Sequence, residues 1–194
     1  MQQRIGSERG ARAGFTLMEM VTVVAIIGIV AAFALPRIDI AAYRVNSSFQ
    51  ILGSTMLTAQ RQALTQQHDV QVRFDRDGRR VILLEDRNNN GSQDSGERLR
   101  SVTLGESVLF GIGDAPARGA LSSDISFTRQ VSGVPVVTFH RDGSASEGGG
   151  FYITSVRAAS AASYPQHSRL ILVERSTGRA TTYKYLDGAW RKGY

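Results

Sequence analysis

The stretch that decides the fold is "GFTLMEMVTVVAIIGIVAAFALP", residues 14–36, an apolar run with a single acid, Glu19, near its start. At about 1.5 Å per residue, residues 15–35 match a hydrocarbon core roughly 30 Å thick, so the run reads as a transmembrane helix. The leader before it, residues 1–14, holds Arg4, Arg9 and Arg12 against Glu8. The positive-inside rule therefore puts the leader in the cytoplasm and the rest of the chain outside. Thr16 and Glu19 have the spacing of a capping box, in which each side chain accepts the other's backbone N–H. A first-turn carboxylate also suits the positive end of the helix dipole. Capping explains how the acid is tolerated there, but not why it opens so long an apolar run. A second reading is a secretory signal peptide cleaved after Ala34, since Ala32-Phe33-Ala34 has the small-x-small pattern. A signal peptide's apolar region is ordinarily shorter and lacks an acid, which favours the anchor.

These residues carry a resemblance. A short basic leader, then Gly14-Phe15-Thr16-Leu17-Met18-Glu19, then an apolar run ending at Pro36, resembles the class III signal of type IV prepilins and type II secretion pseudopilins. The resemblance implies that a prepilin peptidase cuts between Gly14 and Phe15 and methylates the new amine of Phe15. It also implies that Glu19 helps the subunit enter a filament. An ionisable group facing lipid is costly and seeks a partner within an assembly. The α-amino group created at Phe15 of a neighbouring subunit is a fitting counter-charge. Because desolvation offsets much of the attraction, such a pair selects docking register more than it adds net stability.

With 194 residues, 42% apolar and 21% charged, the chain has room for the membrane segment and one globular domain. It has no cysteine, which excludes disulfides, thiol catalysis and Cys-based zinc sites. Its formal charge of +6 favours polyanions weakly and names no partner. From residue 36 to 67 the pattern is that of an amphipathic helix. Val45, Phe49, Leu52, Met56, Ala59 and Ala63 recur at alternating four- and three-residue steps. One helix is expected from about Phe15 to Gln66, kinked at Pro36.

Beyond His68 the period becomes two, with strands expected at 70–74, 81–85, 99–104, 107–110, 125–127, 134–139, 151–156, 169–174 and 181–185. The expected architecture is α+β: the long helix packed on an antiparallel β domain of the pilin type, residues 68–194. Residues 157–169 are rich in small residues and read as an exposed, mobile loop. The segment "VPVVTFHRDGSASEGGGFYI" and the later "STGRATTY" are similar to the β domain of the GspH/FimT family of minor pseudopilins and pilins. That similarity implies a periplasmic domain on an inner-membrane anchor. It also implies assembly with other pilin subunits at or near a filament tip, in a secretion pseudopilus or a type IV pilus.

Two internal constellations invite chemistry. "DRNNNGSQDSGE", residues 86–97, fits D-x-[DN]-x-[DN]-G-x5-E, a calcium loop, with Asp86, Asn88, Asn90, Asp94 and Glu97 as candidate ligands. Its flanks read as strands, so an Asx-rich hairpin turn competes with calcium. The other constellation is basic. Some minor pilins similar to FimT act as DNA receptors through a Gly-Arg-x-Arg element. Here the matching stretch is Gly178-Arg179-Ala180-Thr181, which lacks the second arginine. Arg179, Lys184, Arg191 and Lys192 are the candidate DNA contacts, joined by Arg169 and Arg175, with Tyr183, Tyr185 and Trp190 as stacking surfaces. Strand alternation splits that charge between two faces, which favours a solvated basic edge. His68, His140 and His167 show no ligand spacing, and no nucleophile elbow or phosphate loop occurs, so no enzyme is expected.

Overall fold

Val45, Phe49, Leu52, Met56, Ala59 and Ala63 are all buried along one face of helix α2 (Ile40–Gln66), as their spacing requires. The helix stops where Gln67 turns to φ 58° and donates its N–H to the Ala63 carbonyl. The computed structural model describes residues 14–34, 39–161 and 163–193. It divides into two units, Met1–Asp39 and Ile40–Tyr194. The first contains helix α1 (Leu17–Ala34). The expected continuity of the two helices and the kink at Pro36 lie outside the described residues, as does most of the leader.

In the second unit, two five-stranded antiparallel sheets clasp α2. One is ordered β3-β2-β1-β6-β5, from β1 (Asp69–Asp75), β2 (Arg80–Asp86), β3 (Leu99–Thr103), β5 (Gln130–Val131) and β6 (Val134–Phe139). The other is ordered β10-β9-β8-β7-β4, from β4 (Val108–Phe110), β7 (Gly149–Ser155), β8 (Arg169–Val173), β9 (Ala180–Leu186) and β10 (Ala189–Lys192). Val70, Val72 and Phe74 of β1, Phe151 and Ile153 of β7, and Ile171 and Val173 of β8 alternate inward with the pleat to form one core with α2. Phe74 is its aromatic centre, stacked on Phe127 at 5.1 Å, tilted against Phe151 at 4.8 Å and edge-on to Phe110 at 6.2 Å. Among the described residues, nothing before Val45 enters this core, so residues 40–194 carry a complete core of their own. Gly178, in the β8–β9 turn at φ +61°, lies so close to the Gly143 carbonyl that any side chain there would collide with it.

Three expectations are corrected. Residues 125–127 form no strand; Ile125 makes an isolated bridge to Phe151, and Ser126 bonds to Gly150 through backbone and hydroxyl. The short strands β5 and β10 were not anticipated from the pattern. The stretch 157–169 is an exposed loop only in part: Arg157, residues 159–161, Ser163 and Gln166 are exposed, but most of helix α3 (Val156–Ser160) and a 3-10 turn (Pro165–His167) lie in it, and His167, Ser168 and Arg169 are buried. Ser155 caps α3 by accepting the Ala158 N–H, and its hydroxyl sits 2.8 Å from His167 Nδ1. Burial of such small polar residues is permitted because each finds a hydrogen-bond partner.

Glu147, just before β7, ties that strand's start to the loop before β5. Its carboxylate accepts the Thr128 N–H, the Thr128 hydroxyl at 2.7 Å and the Arg129 N–H at 3.0 Å. Burial pushes this carboxyl up, but the Arg129 and Thr128 hydrogen bonds and the Arg129 charge outweigh it, so it titrates below the usual 4.5. A carboxyl lowered by folding stabilises fully above its unfolded value, and that stability is lost as pH falls through the folded value. Stability should therefore drop on acidification below pH 4.5, and Glu147→Gln should flatten that acid limb. Denaturant midpoints across this range read the effect directly.

Candidate functional site

At the N-terminus, Thr16 and Glu19 form the capping box. The Glu19 N–H donates to Thr16 Oγ1 at 3.1 Å, and the Thr16 N–H reaches Glu19 Oε2 at 3.5 Å. Thr22 turns its hydroxyl back to the Met18 carbonyl, which hides its polarity within the helix. Around these groups the surface is almost wholly apolar. Phe15 is 78% exposed and Leu17 83%, and Val24, Ile27, Val30 and Phe33 continue the exposure along α1. A helix apolar on every side buries itself in protein or lipid. Among the described residues no helix is long and apolar enough to cross a membrane. The 18 residues of α1 rise only about 27 Å, and the apolar sequence extends one or two residues past each end. Glu19 is exposed, and among the described residues no cation lies within ion-pair distance of it.

Residues 9–35 match the family described as "Prokaryotic N-terminal methylation motif". The chain carries that methylation motif. Within it, Gly14 has open space on every side and Phe15 begins the uncovered apolar surface. No curated protein matches the chain. Among solved structures it is similar to the minor pseudopilin EpsH of the Vibrio cholerae type 2 secretion system, at 16% identity. That match covers 75% of this chain and 99% of EpsH with a TM-score of 0.49. A crystal structure of the same Vibrio cholerae protein matches at 15% identity, over 77% of this chain and 92% of the other, with a TM-score of 0.37.

The loop proposed for calcium is occupied by its own hydrogen bonds. Asp86, buried at the end of β2, accepts the Asn90 and Gly91 N–H groups and the Gln71 amide. Glu97 accepts the Arg87 and Asp94 N–H groups, and Asp94 accepts the side-chain amides of Asn88 and Asn90. These bonds from Asn88 and Asn90 lower the Asp94 carboxyl. Among the described residues no three His, Asp or Glu side chains gather as a metal cradle. As they stand, Asp86, Asn88, Asn90, Asp94 and Glu97 close an Asx-built turn with their own hydrogen bonds. Adding about 1 mM calcium, the affinity range of extracellular calcium modules, should leave the melting temperature unchanged. A rise of several degrees would show that the loop exchanges these bonds for an ion.

The candidate DNA contacts divide between two faces of the sheet. Lys184 stands opposite Arg169 and Arg191 in the strand register, on the face turned to α2, with its ammonium 6.0 Å from the Phe49 ring. Lys192 stands opposite Tyr183 on the other face, and Arg179 lines a recess there with Thr181 and Tyr183. The aromatic residues are already engaged. Tyr152 bonds to Arg118 and Leu121, the Trp190 indole donates to the Pro116 carbonyl, and Arg118 lies 3.9 Å over the Tyr183 ring. Arg169 is buried and bonded only to neutral oxygens of Asn46, Gln166 and Ser168, and burial lowers it to about 10. Sequence reasoning had counted it as surface charge. His140 Nδ1 pairs with Asp69 at 2.8 Å.

Proposed function

We propose that this chain is a minor pilin or pseudopilin subunit of the GspH/FimT type. Its leader is cytoplasmic, residues 15–35 are embedded in the inner membrane and its β domain is periplasmic. A prepilin peptidase processes it between Gly14 and Phe15. The mature subunit enters a type II secretion pseudopilus or a type IV pilus, at or near the tip. The observation that carries this reading is Glu19, held by its cap at the start of an uncovered apolar helix inside the methylation motif. An acid in that setting gains a counter-charge by docking against another subunit's freed amine. The rival reading, a DNA receptor in uptake, asks Arg179, Lys184, Arg191 and Lys192 to act together across two opposite faces of a sheet.

Co-expression with a prepilin peptidase is the test. The mature chain is expected to begin at Phe15 with the mass of one added methyl group. Gly14→Val should remain at full length and unmethylated. Because Gly14 has nothing within 4 Å, that loss would lie in peptidase recognition and not in folding. A mature chain beginning at Leu35 would instead establish an ordinary signal peptide.

A further inference from the structure

One end of the β domain combines exposed apolar side chains with a cluster of cations, two of them without a carboxylate partner among the described residues, and nothing in the proposed assembly role uses it. Ile40 and Tyr43, in the first turn of α2, are 58% and 73% exposed. Val156 at the start of α3 and Leu186 in the β9–β10 turn are also exposed. Backbone and side-chain contacts bring these elements to the same end. Arg44 pairs with Glu106 at 2.9 Å, the Val156 N–H donates to the Ser107 carbonyl, Arg169 bonds to Asn46 and the Tyr185 N–H donates to Ser168.

Cations surround this surface. Arg169, Lys184 and Arg191 face one another on adjacent strands, an arrangement that like charges oppose. Arg157 is exposed and stacks on Tyr164. The acids at this end are Glu106, bonded to Arg44, Asp187, bonded to Arg191 at 3.1 Å, and Asp39. Arg157 and Lys184 have no carboxylate partner among the described residues. Tyrosine and short apolar side chains among basic residues are what the interface of a lipid bilayer selects. In sequence, only residues 35–39 separate this end of α2 from the apolar helix α1.

We propose that the Ile40 end of the β domain docks on an anionic phospholipid surface. Tyr43 and its apolar neighbours enter the headgroup layer, and Arg157, Lys184 and Arg191 meet the lipid phosphates. Docking would hold the domain at the membrane before it is drawn into an assembly. The inference rests on the reading of residues 15–35 as membrane-embedded, but its test omits them.

Residues 40–194, which contain the whole described core, are mixed with vesicles of phosphatidylcholine alone or with about one third phosphatidylglycerol and then sedimented. Binding to the anionic vesicles is expected, with weakening as salt shortens the Debye length. Arg157→Gln, Lys184→Gln and Arg191→Gln should each reduce partition about fivefold, and the triple variant about a hundredfold. Tyr43→Ser should weaken it too. Arg87→Gln and Arg175→Gln, at the opposite end of the domain, should leave it unchanged. Melting curves of every variant separate lost binding from lost folding. Absence of sedimentation with anionic vesicles at low salt overturns the proposal, as does equal binding to neutral vesicles or equal sensitivity to Arg87 and Arg175. None of these outcomes bears on whether the leader is cleaved before Phe15, so the failure of one reading is distinguishable from the failure of the other.

Discussion

Glu19→Gln is expected to be processed and methylated normally yet to enter filaments about two orders of magnitude less well than the parent chain. The substitution separates the helix cap, which is observed, from the ion pair proposed for the acid. Glutamine is as good as glutamate at the third position of a capping box, so the bond back to the Thr16 N–H survives and the start of α1 keeps its cap. What disappears is the charge. Removing one partner of a buried ion pair leaves the other unpaired in a low-dielectric site, at a cost of about 3–5 kcal/mol. Glu19→Ala loses both charge and cap and should fall slightly further, since a lost cap costs about 1 kcal/mol. Quantifying subunits in sheared filaments, against processed subunits retained in membranes, checks both. Normal assembly of Glu19→Gln with a defect in Glu19→Ala would reduce the acid to a helix cap. The salt bridge to a neighbouring amine would then have to be abandoned.

Phe74→Ala should lower the stability of the β domain by about 3–5 kcal/mol. Phe74 is fully buried and touches three other rings, from β4, β7 and the loop that carries Phe127. No single neighbour can close the space it leaves, because Phe110 and Phe151 approach it from the opposite sheet and Phe127 from a loop. For a domain of this size the loss corresponds to a melting temperature lower by about 6–20 °C. Leu64→Ala is the contrast: Leu64 sits on the outer side of α2 and is 40% exposed, so its removal should cost about 1 kcal/mol or less. Thermal and urea unfolding of residues 40–194 provide the measurement. Similar losses from the two variants would mean that the two sheets do not share one core.

How far the sequence could be read depended on whether a residue's partners were near it in the chain. The amphipathic stripe of α2 was legible because a helix repeats its buried face within seven residues, and every position from Val45 to Ala63 in that stripe is buried. The long strands were legible for the same reason with a period of two, and their observed ends differ from expectation by two residues at most. The β10 hairpin was missed although it had a local signal: Asp187-Gly188 is an Asp-Gly pair with positive φ at both positions, the turn that two-residue hairpins favour. Residues 157–169 misled because small polar residues suit exposed loops and buried turns alike. Which they form is set by Ser155, across the turn from His167, and by Asn46, distant in sequence, which receives Arg169. The calcium pattern is ambiguous by composition, since the residues that ligate calcium are also those that close Asx turns.

By itself, the sequence determined the N-terminal device: a basic leader, Gly14-Phe15, a capped acid and an apolar helix, all set by chemistry within a few residues of one another. It also determined that a two-faced helix is followed by an antiparallel β domain, because both periodicities are local. Only the tertiary structure set Arg191 opposite Lys184 and Lys192 opposite Tyr183, by pairing β10 with β9. Only it showed that the carboxylates of residues 86–97 are bonded to the loop's own backbone and side-chain amides, and that Ile40, Tyr43, Val156 and Leu186 share one end. Each of these depends on strand register and loop closure, which bring together groups far apart in the chain, and a pattern read along the chain cannot contain such distances.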